Sequence, residues 1–194
     1  MLDQHTREMK GFYHYCPAIA MIVTVRRGSE KDAMAAAWHS PISFDPPLYG
    51  VSISPKRHTF EMIREAREFG INFVPFDKAK LVAQVGGCSG KDVDKFERFD
   101  IKEVDPIETT APIIRGSYAA YECRLFASST YGDHEWFVGE VVAIHLSSSA
   151  FDEDDVIEVQ RAVPTLYVGR DLYLKLTSSE RVKLDRKMLA SSDD

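Results

Sequence analysis

Four stretches of the chain concentrate side chains able to bind or transform a ligand. The first, Ala36-Ala37-Trp38-His39-Ser40-Pro41-Ile42-Ser43-Phe44-Asp45-Pro46-Pro47, sets an indole, an imidazole and hydroxyls around turn-forming prolines. Its small residues, with Ala35, let a planar ring come close to the backbone, and the Trp38 indole can cover such a ring. The second, Ser52-Ile53-Ser54-Pro55-Lys56-Arg57-His58-Thr59, ends a strand-like run and opens a helix-like one. A helix start offers free N–H groups and partial positive charge, which suit a phosphate. Lys56, Arg57 and His58 add cationic donors there. The Thr59 hydroxyl can cap the helix or donate to a phosphate oxygen; on spacing alone, capping is the commoner use. Together the two stretches describe the rim of a pocket for something flat, polar-edged and phosphorylated.

The third stretch, Gly86-Gly87-Cys88-Ser89-Gly90-Lys91-Asp92-Val93-Asp94-Lys95-Phe96, superficially suggests a nucleotide triphosphate loop. That loop needs four residues between its glycines and Ser or Thr after its lysine. Here Gly86 and Gly90 enclose three and Asp92 follows Lys91, so triphosphate hydrolysis is rejected. The fourth stretch is Tyr131-Gly132-Asp133-His134-Glu135-Trp136-Phe137-Val138-Gly139-Glu140-Val141. Its Gly-Asp pair suits a tight hairpin turn and brings His134 to the end of a strand. His and Cys spacings form no zinc or iron signature, and no metal site is expected; His14 and Cys16 share a strand face but are too few. Cys88 has no paired His in sequence and reads as a free thiol.

The elements that must position these residues are mostly strands. Candidates are Ala18–Val25, Ala33–Trp38, Leu48–Ile53, Phe69–Val74, Ser117–Ala127 and Trp136–Leu146, with a short hairpin around Gly169 between Tyr167 and Tyr173. Thr59 is the expected cap of a helix over Phe60–Arg67, Asp77 precedes a second over Lys78–Val85, and Ser89 caps a short third within Lys91–Phe99. Asn72, polar inside an apolar strand, must find hydrogen-bond partners and reads as a brace. Many short strands with few helices predict a small antiparallel barrel.

Composition limits the alternatives. The chain has 194 residues, enough for one self-supporting domain, and the expectation is a single domain with a disordered tail at 190–194. A formal net charge of −6 argues against nonspecific nucleic-acid binding. Three scattered cysteines argue against a disulfide framework and fit a reducing cytoplasm. No signal-peptide pattern or membrane span is visible.

Read together, Trp38 with its alanines and prolines, Thr59, the Ser89-Gly90-Lys91-Asp92 to Lys95-Phe96 run and the Gly132-Asp133-His134 segment resemble the flavin reductase-like, FMN-binding split-barrel family, which includes the flavoredoxins. The resemblance covers roughly Gly11 to Leu176. It implies a mainly β Greek-key split barrel with inserted helices, dimeric, with the flavin near the subunit interface. It implies FMN as cofactor, NADH or NADPH as reductant, and a redox protein or monooxygenase as possible partner. The cofactor-binding residues it points to are Ala37, Trp38, His39, Ser52, Ser54, Arg57, Thr59, Ser89, Lys95, His134 and Tyr167. Lys95 and His134 are the catalytic candidates: the lysine to stabilise anionic reduced flavin, the histidine to orient the nicotinamide or supply a proton. Asp32 stands where family members often carry Asn, and an acid beside the ring would disfavour the flavin anion unless protonated or turned away. The implied activity is hydride transfer from NAD(P)H to flavin and onward electron transfer. The alternatives are a flavoredoxin-like carrier reduced by a protein donor, and an FMN-storing or FMN-sensing protein.

Overall fold

The computed structural model describes residues 16–177 and residue 182; His14 and the tail expected at 190–194 lie outside them. Its centre is a seven-stranded, wholly antiparallel sheet. The strands are β2 (Met21–Arg27), β3 (Glu30–Ala36), β4 (His39–Phe44), β5 (Pro47–Ile53), β6 (Glu68–Phe73), β9 (Ala119–Tyr131) and β10 (His134–Leu146), in spatial order β3-β2-β6-β9-β10-β5-β4. A smaller sheet joins β1 (Ala18–Ile19) to β11 (Leu166–Gly169) and β12 (Leu172–Leu174), and a two-stranded ladder joins β7 (Glu103–Val104) to β8 (Ile113–Ile114). Three α-helices punctuate the strands: α1 (His58–Ala66), α2 (Ala79–Gly86) and α3 (Lys95–Arg98). Among the described residues, no helix is long and apolar enough to cross a membrane.

Side-chain alternation explains the apolar density of β2. Met21, Val23 and Val25 point into the main cluster with Val51, Ile63, Phe69, Ile71 and Phe137. Ile22 points the other way, into a second cluster with Ala33, Val82, Val85 and Phe96, beneath α2 and α3. A strand covered on both faces loses the polar half of its pattern and reads as a continuous apolar run. The run nevertheless breaks at Ala20, where the chain leaves β1 for β2.

Several boundaries differ from expectation for identifiable reasons. The stretch with turn-forming prolines that follows Trp38 is a strand, β4, which tolerates Pro41 because it lies at the sheet edge, where a missing N–H interrupts no ladder. The β9–β10 hairpin extends to Tyr131 and His134, which pair across Gly132 and Asp133. Gly132 has φ 63°, the left-handed value that suits glycine at such a turn. The last hairpin turns at Arg170 and Asp171, after Gly169. Helix α1 begins at His58 with Arg57 at its cap position and no side-chain cap, so Thr59 is not the N-cap. Neither Asp77 nor Ser89 caps a helix. A 3-10 turn, Phe76–Lys78, leads into α2, and Asp94 caps α3 by accepting from the Glu97 N–H at 3.0 Å.

Two buried polar side chains lock the sheet to its surroundings. Asn72 donates to Ile22 O at 3.1 Å and Thr24 Oγ1 at 3.0 Å, and accepts from Ile114 N at 2.7 Å. It is the expected brace. Glu122, on β9 and fully buried, accepts from the N–H groups of Ile107, Glu108 and Thr109 at 2.7–2.8 Å. The Thr109 hydroxyl at 2.9 Å and His145 Nε2 at 2.7 Å complete its shell. Burial alone would raise the Glu122 pKa, but these hydrogen bonds together outweigh it and hold the carboxyl at about 2.

Candidate functional site

A cavity of about 720 Å³ opens where five parts of the chain meet. Asp32 and Met34 to Trp38 come from β3 and the residues after it. Ser52, Ser54 and Lys56 to Thr59 come from the end of β5 and the start of α1. Val82, Ala83, Val85 to Gly90 and Lys95 supply a third wall, Asp133 and His134 a fourth, and Tyr167, Asp171 and Tyr173 a fifth. Ala37, Trp38, Ser52, Ser54, Arg57, Thr59, Ser89, Lys95, His134 and Tyr167 therefore all face one space.

His39 does not. It opens β4 directly after Trp38 and turns into the aromatic interior. Its Nδ1 lies 2.7 Å from the Tyr49 hydroxyl and its Nε2 2.8 Å from Ile19 O, with the Tyr49 and Phe73 rings alongside. Burial lowers its pKa, opposed in part by the hydrogen bond to Ile19. Two satisfied ring nitrogens make His39 a brace, and its place among the ligand-binding residues is withdrawn.

The start of α1 suits an anion. No side chain caps it; the Phe60 N–H is taken by Arg57 O at 3.1 Å, which leaves the N–H groups of His58 and Thr59 to face an anion, with Lys56 and Arg57 in the same wall. His58, the first residue of the helix, is held by Glu30: Nε2 lies 2.7 Å from Oε1, and the buried Nδ1 has no hydrogen-bond partner. Glu30 is in turn held below the usual carboxylate range, chiefly by Arg27 and then by His58.

Thr59 does something other than cap or reach outward. It is 1 % exposed, and its hydroxyl donates to Asp32 Oδ2 at 2.6 Å. A buried carboxylate is a stronger acceptor than any neutral group nearby, so the hydroxyl directs its hydrogen bond there. Lys95 is equally enclosed. Its ammonium donates to Ala33 O at 2.6 Å and stands 3.0 Å from Asp32 Oδ1. That separation makes an ion pair, yet the ammonium is aligned on Ala33 O, and Oδ1 is left without a well-aligned hydrogen bond. Gly90 closes over the pair. A Cβ there would fall 2.5 Å from Asp32 Oδ1 and 2.8 Å from the His58 ring, so only glycine fits this close approach.

At the cavity mouth, the Trp38 and His134 rings lie 5.0 Å apart and tilted by 46°. His134 Nδ1 bonds Asp133 Oδ1 at 2.7 Å, and this contact is the main reason the Asp133 pKa is lowered. In the neutral imidazole that bond fixes the Nδ1–H tautomer and gives Nε2 a free lone pair. Tyr167 and Tyr173 form an aromatic pair with centroids 5.3 Å apart. Sequence reasoning missed Tyr173, Asp171 and Cys88 as wall residues, and it left Asp32 without its partners. The short spacing across the Arg170-Asp171 turn was the available signal for Tyr173.

Comparison with known proteins agrees with this geometry. Residues 12–173 match the model of the flavin reductase like domain, so the chain belongs to that family. Its fold is the mainly β split barrel of the flavin reductases and flavoredoxins. An FMN-binding protein from Thermus thermophilus, solved with bound 1-cyclohex-2-enone, superposes with a TM-score of 0.82 at 36% identity, over 95% of this chain and 99% of that one. Flavoredoxin from Methanosarcina acetivorans shares the fold with a TM-score of 0.84 at 22% identity, over 97% and 100% of the two chains. An uncharacterized protein of Pyrococcus abyssi is 33% identical over 144 residues, 74% of this chain and 83% of its own length.

Proposed function

We propose that the cavity binds FMN and that the chain is an oxidoreductase moving hydride from NADH or NADPH to the flavin, then electrons to an acceptor. The observation that carries this is convergence: Trp38, Arg57, Thr59, Lys95, His134 and Tyr167, far apart in sequence, wall one space. The donor set fits the group. The uncapped start of α1 with Lys56 and Arg57 suits a phosphate, and Trp38, His134 and Tyr167 supply faces for a planar ring. The FMN-binding relative from Thermus thermophilus supports the same choice.

Bound flavin would supply the hydride-accepting and electron-donating chemistry. The chain's own part is to bind, orient and protect. The N–H groups of His58 and Thr59 at the start of α1, with Lys56 and Arg57, would hold the anion. Trp38 and the tyrosine pair limit water at the mouth. His134, steadied by Asp133, can hold or release a proton at Nε2. Thr59 belongs to this reading as the residue that orients Asp32. We extend the proposal to a homodimer, supported by the exposed apolar side chains of Ile42 and Phe44 on the β4–β5 hairpin.

The test is an anaerobic visible spectrum after FMN addition, followed by NADH or NADPH in a stopped-flow mixer. Flavin that binds and bleaches within seconds is the expected result. Bleaching by a reduced protein donor alone would assign a flavoredoxin-like carrier instead. Failure to bind FMN would end the reading.

A further inference from the structure

Asp32 and Lys95 are two opposite charges, 1 % and 3 % exposed, on the wall of the cavity. Their shared position is unusual in chemistry rather than in packing. Thr59 fixes Asp32 Oδ2, Ala33 O fixes the ammonium, and Gly90 shuts solvent away from Oδ1. The carboxylate is therefore neither turned out to water nor neutralised by a saturating ring of N–H donors. Its charge is balanced by one ammonium at 3.0 Å. A lone charge in such an enclosed wall would act strongly on any charge that develops in the cavity, whereas a close opposite pair acts weakly.

We propose that Asp32 is a redox-positioning residue: by holding the Lys95 ammonium in a neutral buried pair, it withholds that positive charge from the flavin and keeps the midpoint potential down. The inference rests on the FMN reading of the cavity. It qualifies the simple expectation for Lys95, because the size of the lysine's effect on reduced flavin is set by its partner. Asp32 touches no reacting atom in this account; it acts through Lys95.

The experiment measures the midpoint potential of bound FMN in the wild type, Asp32→Asn, Lys95→Met and the double variant, each against the wild type at the same pH. Each variant is measured at both pH 6 and pH 8. Asp32→Asn should favour reduced over oxidised FMN by about tenfold more than the wild type, about 30 mV more positive for a two-electron couple. Lys95→Met should shift the potential the opposite way. The double variant, with both charges gone, should return close to wild type. If a single variant fails to fold, the double variant still tests the idea, since a potential far from wild type would overturn it. An unchanged potential in Asp32→Asn would overturn it as well. A readout independent of flavin is thermal unfolding of the apoprotein, where the double variant should exceed both single variants in stability. Wild-type protein that binds no FMN would instead remove the site reading itself, and this inference with it.

Discussion

Two buried carboxylates divide the molecule into a part built to hold and a part built to respond. Glu122 on β9 is surrounded by donors: three consecutive backbone N–H groups, a hydroxyl and an imidazole all point at its two oxygens. Asp32 on β3 has one hydroxyl and one ammonium, and one oxygen lacks an aligned donor. Both are as deeply buried as side chains can be. The difference is what solvates them. Glu122 is fixed by the loop between β7 and β8, so its ionisation and that loop's shape are one thing. Asp32 is balanced by a single ammonium, so its influence can be altered by changing one residue.

The largest effect that would break this contrast is Glu122→Ala. It should cost about 3–5 kcal/mol, because it leaves three backbone N–H groups and His145 without their acceptor. Melting curves should fall by roughly 10 °C or more for a chain of this size. Next comes acid. The Glu122 carboxyl lies below its ordinary 4.5, at about 2, so its contribution is present above pH 4.5 and is lost as pH falls toward 2. The wild type should lose roughly 3 kcal/mol over that window, and Glu122→Gln should show a flatter profile in urea titrations at matched pH. A wild-type profile as flat as the variant's would erase the distinction between the two carboxylates. Third, Gly90→Ala should destabilise by about 1–3 kcal/mol through overpacking on Asp32 and His58, and should weaken FMN binding; isothermal titration checks this. The smallest effect belongs to His39→Gln, which leaves the cavity wall untouched. FMN affinity should stay within about twofold of wild type by fluorescence titration, whereas a larger loss would return His39 to the site.

Much of this arrangement was legible in the sequence, and the exceptions share a cause. The four chemistry-bearing stretches do converge, because each lies at the end of a strand or the start of a helix, where local pattern is informative. The β9–β10 hairpin was readable from its Gly-Asp turn and apolar strands. Thr59 was misread because its choice between capping and bonding a carboxylate depends on Asp32, on another strand. His39 was misplaced because its ring nitrogens are engaged by the Tyr49 hydroxyl and Ile19 O, partners on other strands that the motif does not show. β4 was hidden by Pro41, whose meaning depends on whether a strand has one neighbour or two. Local pattern carried the elements; the partners of buried charges are long-range facts.

The pairing of β1 with β11, Ala18 against Tyr167 and Ile19 against Leu166, brings one of the earliest described segments to one of the last. In time, this means that a growing chain on the ribosome cannot finish its pocket wall until the Tyr167 hairpin has emerged. Contacts of such long sequence separation form late and slowly. Until that strand arrives, the aromatic wall is missing and the apolar face of β1 has no cover, so synthesis order alone sets a period in which the nascent protein has much of its barrel and no complete site.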